Sequence, residues 1–129
     1  MDFAVIQRLT ILAEAGVQDA VAALPQTVRA ASAECPVFFT TTETWVPPPC
    51  GAEDHDGDVL GLFTGSSRMD PPPADPGDSP KITLFLDVLW DWCEEDEAAF
   101  REECATTWLH ELGHYLGWDE EEVAARGLE

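Results

Sequence analysis

Between Glu95 and Leu116 an apolar side chain returns every fourth residue: Phe100, Cys104, Trp108, Leu112 and Leu116. Such spacing stacks the five on one helical stripe, so this segment predicts a long amphipathic helix with one buried face. Glu95, Asp96 and Glu97 put acidic side chains at its start, where they complement the positive end of the helix dipole. Gly117 follows the last apolar residue and supplies the left-handed helix end most readily. A helix this long near one end of a 129-residue chain must be covered by the remainder, which suits a single domain, 1–129, with one core.

The rest of the chain divides at its prolines. Phe3, Ile6, Leu9, Ala13, Val17, Ala20 and Leu24 recur at spacings of three and four, so residues 2–23 read as a helix that Gly16 is expected to break or kink. Pro25 fits the first turn of a short second helix through Ala33. The β-branched and aromatic run Val37–Thr42 reads as a strand, ended by Pro47-Pro48-Pro49. Two more strands are expected at Val59–Thr64 and Lys81–Leu86. The five prolines between Ser66 and Pro80 make that stretch a long loop. A last short helix is expected over residues 120–126. The order of elements is that of an α+β domain, a three- or four-stranded sheet packed against an N-terminal helix and a long C-terminal one.

On the long helix, His110 and His114 lie four residues apart, one turn above the other, so both imidazoles can reach a single ion. Glu111 is rotated about 100° from His110 and about 60° from His114. That rotation suits a carboxylate that holds a water beside a metal rather than binding the metal itself. Gly117 permits the chain to turn back after the helix, and a returning acid can then complete a three-residue ligand set with one position left open. Glu120 is the expected third ligand, with Asp119 and Glu121 close enough in sequence to compete. Shuffling this composition produces a His-Glu-x-x-His segment in about one sequence in two hundred, and the added glycine and acid lower that to about one in ten thousand. A pair of satisfied, half-buried histidines is the bland alternative, and the combination makes it the poorer one.

These residues resemble those of the zincin metallopeptidases, and in particular a family of small bacterial zincin-like metallopeptidases. The likeness extends over residues 12–126: a helix ending in Leu24-Pro25, the strand Val37–Thr42, the strand Leu60-Gly61-Leu62-Phe63-Thr64-Gly65, the strand Ile82-Thr83-Leu84-Phe85, and the histidine helix. It implies a zincin-like fold, zinc as the metal, His110, His114 and Glu120 as its ligands, and Glu111 as the catalytic glutamate. It also departs from the larger metzincins, whose methionine turn has no counterpart here, the only methionines being Met1 and Met69.

Two functions compete on this reading. The first is a zinc-dependent hydrolase, a peptidase above all, in which Glu111 activates water and an extended substrate pairs with an exposed sheet edge, here expected at Val59–Thr64. The second is a non-catalytic zinc-binding or protein-interaction module on the same fold. Hydrolysis of a non-peptide amide is a weaker third. A net charge of −20 repels nucleic acid and anionic membranes, and leaves peptide or protein partners, basic ones included. The N-terminus opens Met1-Asp2-Phe3, an acid where a secretory signal carries bases, so the cytoplasm is the expected compartment. There, Cys35, Cys50, Cys93 and Cys104 are expected as free thiols, and their spacing offers no Cys-based zinc site. The acidic run Glu53 to Asp58 lacks the later ligands of a calcium loop and reads as a surface turn, with His55 exposed to solvent. Tyr115 is expected to point away from the metal, and Trp118 to line the site.

Overall fold

A computed structural model describes residues 2–43, 60–65 and 79–117. The expected last helix, the acidic run with His55, the prolines at 47–49, Trp118 and the acids 119–121 lie outside the described residues. In chain order the elements are α1 (Phe3–Ala23), α2 (Gln26–Ser32), β1 (Val37–Thr40), β2 (Gly61–Thr64), β3 (Lys81–Phe85), α3 (Leu86–Trp92) and α4 (Glu97–Tyr115).

The α1 helix starts at Asp2, whose carboxylate accepts from the Ala4 amide. It stops at Leu24, which is extended as a residue before proline must be. The Arg29 guanidinium then reaches back from α2 and donates to the Ala22 and Leu24 carbonyls at 3.2 and 2.9 Å. Cationic capping of this kind satisfies acceptors that a helix end leaves open.

The three strands lie in the order β1-β3-β2, with β1 parallel and β2 antiparallel to β3. The central strand is the most buried: Ile82 and Leu84 have no exposure at all. These two share one hydrophobic core with Leu9, Ala13 and Val17 of α1 and the stripe Phe100, Cys104, Trp108 and Leu112 of α4. Every member of the stripe read from the sequence is buried, Leu116 included. Trp90 meets Phe100 edge-on at 5.6 Å between ring centroids. The architecture is the expected α+β one, with helices and a small mixed sheet.

Four expectations change. Gly16 does not interrupt α1. The helix runs straight through it, because the glycine faces α4: a Cβ there would lie 2.3 Å from the Arg101 carbonyl oxygen. The missing side chain is what lets the two helices cross so closely. Arg8 pairs with Glu97 through two hydrogen bonds of 3.1 and 3.0 Å, and Arg101 pairs with Asp19, so ion pairs flank this crossing. Secondly, β1 ends two residues early. The Thr42 amide and hydroxyl both donate to the Asp87 carboxylate, the hydroxyl at 2.6 Å, rather than continuing the sheet.

Thirdly, β3 stops at Phe85 and the chain passes directly into α3, a helix the sequence reading did not include. Its signature was present: Leu86, Leu89, Trp90 and Cys93 stand at i, i+3, i+4 and i+7, and all four pack in or against the core. Lastly, α4 begins at Glu97 rather than Glu95. Glu94 and Glu95 take left-handed backbone angles, φ 54° and 61°, closing α3 through the Glu95 amide to the Trp90 carbonyl at 3.0 Å. Asp96 then caps α4 by accepting from the Ala99 amide at 2.9 Å. The strand expected at Val59–Thr64 is described from Gly61 to Thr64. No helix among the described residues is long and apolar enough to cross a membrane.

Candidate metal centre

The final two turns of α4 carry His110, Glu111 and His114. Their ring and carboxylate ligand atoms all fall within 4.8 Å of one another. The two imidazole centroids are 4.9 Å apart with the rings at 82°. His110 and Glu111 are half-buried and His114 is exposed, while Leu112, on the opposite side of the helix, is fully buried. The helical spacing of four therefore does what it implied: it stacks the rings on one open face and sends the intervening leucine inward. The two imidazoles offer nitrogen donors of the kind zinc takes, and the Glu111 carboxylate stands beside them.

Glu111 is also held from the sheet. Its Oε1 accepts from the Phe63 amide of β2 at 2.8 Å. The register explains why that amide is available. The Leu60 carbonyl accepts from the Phe85 amide, so Leu60, Leu62 and Thr64 turn their hydrogen-bonding groups toward β3. In an antiparallel pair the alternate residues turn theirs away, and Gly61 and Phe63 thus present N–H and C=O at the outer edge. The edge expected from the sequence is an edge of this sheet, and it faces the histidine helix.

Gly61 brings β2 that close. A Cβ at this position would stand 2.7 Å from Thr107 Cγ2 and 2.9 Å from Leu84 Cδ2. Between strand and helix a cavity of about 300 Å³ remains, bordered by Leu60 and Gly61 on one side and by Thr106, Thr107, His110 and Glu111 on the other. In the sequence, Gly61 and Phe63 read only as part of a strand. A glycine inside a strand was the available signal for close approach of backbone to a neighbour. The role of the Phe63 amide had no signal, since a main-chain donor is the same whatever the side chain.

Tyr115 lies off the site, as expected. It is buried, its hydroxyl donates to Glu34 Oε1 at 2.7 Å, and its ring meets Phe63 at 6.0 Å. Gly117 has φ 79°, the left-handed conformation expected where α4 ends after the second histidine. Glu120, Asp119 and Glu121, the candidates for a third ligand, fall outside the described residues. Cys35 and Cys104 are buried free thiols and Cys93 a half-buried one. Burial pushes the first two up to about 12, which makes them core side chains rather than thiolate ligands.

No curated protein gives a significant match to the chain. The sequence profile of the zincin-like metallopeptidases does match, over residues 42–128. That span begins after β1 and takes in the edge strand, the central strand, both later helices and the histidine pair. It is more than half of the chain, and the chain therefore belongs to the zincin-like metallopeptidase family.

Proposed function

We propose that this protein is a zinc-dependent peptidase. His110 and His114 would hold the metal, Glu120 would return as the third ligand, and Glu111 is the general base. The observation that carries the reading is the double hold on Glu111. One carboxylate oxygen lies within 4.8 Å of a ring nitrogen of each histidine, and the carboxylate is tied by Oε1 to the edge-strand amide of Phe63. A structural metal site, closed by its ligands, has no use for a carboxylate fixed beside it in this way.

Zinc, when bound in such a set, lowers the pKa of a coordinated water to about 7 and polarises a carbonyl oxygen. The chain's own groups do the remainder. Glu111, oriented by the Phe63 amide, accepts a proton from the attacking water and returns it to the leaving amine. The outward N–H and C=O of Gly61 and the C=O of Phe63 give an extended peptide main-chain partners beside the histidines. Such pairing fixes the scissile bond without reading its side chains.

Metal analysis and turnover test this together. Zinc-loaded wild-type protein is expected to hold one equivalent of metal and to cleave members of a quenched-fluorescence peptide library, with activity lost to chelator. Glu111→Gln should retain the zinc and lose about 10²- to 10⁴-fold in rate, the usual contribution of a general base. Stoichiometric zinc with no cleavage of any peptide would overturn the peptidase reading in favour of a non-catalytic metal module.

A further inference from the structure

We propose that Glu103 is a specificity-determining residue, making the cavity beside His110 and Glu111 a receptor for a lysine or arginine side chain of the peptide. The inference rests on the peptidase reading above and adds to it the class of substrate. Glu103 borders the same 300 Å³ cavity as Leu60, Gly61, Thr106, Thr107 and His110. A space of that size is at the lower limit of ligand pockets, suited to one long side chain rather than a whole molecule.

Its shape follows from the helix. Glu103 precedes His110 by seven residues, two turns, and so lies on the same face about 10 Å along the axis. A side chain that leaves the main chain near the histidines and runs down the groove must be long and unbranched to meet it. Leu60 offers an apolar wall for an aliphatic stem, and the charged tip then meets the carboxylate. Glu103 is half-buried, and the Thr107 hydroxyl donates to its Oε1 at 3.4 Å. Partial removal from water strengthens its pull on a cation and penalises an anion entering the same space. The overall charge of −20 attracts a basic peptide from solution as well, though without choosing where its side chains go.

The test measures binding in the presence of chelator, on the full-length protein. Blocked alanine pentapeptides carry lysine, leucine or glutamate at the central position. Wild-type protein is expected to bind the lysine peptide about tenfold or more tightly than the leucine peptide, as a charge-assisted hydrogen bond affords. Glu103→Gln should bring that ratio near unity with an unchanged melting temperature, and Glu103→Lys should turn the preference toward glutamate. Equal binding of lysine and leucine peptides by the wild type overturns the proposal. So does a lysine preference that survives Glu103→Gln, since Glu111 or bulk charge would then be its source, or an absence of binding to all three. Because no turnover is needed, the two readings fail separately. Selective binding without cleavage of any peptide sinks the peptidase reading, whereas cleavage indifferent to lysine sinks only the role of Glu103.

Discussion

Two faces of the same helix, α4, obey opposite rules. Phe100, Cys104, Trp108 and Leu112 are at most 2% exposed and are packed against α1, α3 and the sheet. Across the helix from Leu112, His110 is half-exposed and His114 is open to solvent, with half-exposed Glu111 on the flank. One face is apolar and closely fitted, down to the glycine of α1 that admits the Arg101 carbonyl. The other is polar and leaves a cavity beside it. The contrast teaches that stability and chemistry are stored separately here. A rigid backbone, fixed from behind, lets three polar side chains keep their spacing without being packed themselves.

If that division holds, substitutions should sort by face. The largest loss of stability is expected at Phe100→Ala. Phe100 is fully buried and meets Trp90 edge-on, so its truncation should cost about 3–5 kcal/mol. Urea unfolding of the chelated protein measures it, and a loss under about 1 kcal/mol would show that the buried face is not the framework. Gly16→Ala comes next, and its sign is informative. Alanine is the better helix former by about 1 kcal/mol, so an unconstrained glycine would give a gain. With the Arg101 carbonyl oxygen 2.3 Å from the new Cβ, the helices must instead move apart. A net loss of about 1–3 kcal/mol is expected, as for other overpacked contacts.

A smaller effect should appear at alkaline pH. Burial holds the Cys35 and Cys104 thiols up at about 12, against an ordinary value of 9.0. Their folded pKa is raised, so their contribution is whole below the unfolded value and is lost as pH climbs from 9.0 toward the folded value of about 12. By pH 10 the loss should be on the order of 1 kcal/mol per thiol, read from urea midpoints at about pH 8 and pH 10. Iodoacetamide should likewise modify half-buried Cys93 before either of them, with mass spectrometry locating the adduct. Equal rates at all three would mean that the core opens more readily than its packing implies.

The same two faces explain what could be read in advance. The buried stripe of α4 was legible because periodicity is a property of side chains, and so was the histidine pair, whose spacing needs nothing but an unbroken helix. The start of α3 was not, because Leu86 continues a β-branched run without any glycine or proline to mark the change. Gly16 was misread for a related reason: from sequence alone a helical glycine is a weakness, and only the neighbouring Arg101 carbonyl makes it a fit. Asp87 ended β1 from 45 residues away, a contact no local pattern contains. The Phe63 amide, which completes the hold on Glu111, belongs to the main chain and leaves no trace in residue identity.

The finest test of the division is the substitution expected to move stability least. His114 is exposed and lies on the polar face, so in chelator His114→Ala should unfold within about 0.5 kcal/mol of the wild type, as surface changes usually do. Zinc should then separate the two proteins. A ligand that binds only the folded state stabilises it by about 2.7 kcal/mol at a hundred times its dissociation constant. The wild type should show that increment as a rise in melting temperature when zinc replaces chelator, and the variant should show little of it. A variant already destabilised without metal would mean that His114 supports the fold, and the two faces would no longer be independent. A variant stabilised by zinc as strongly as the wild type would keep the faces separate but move the metal away from the histidine pair.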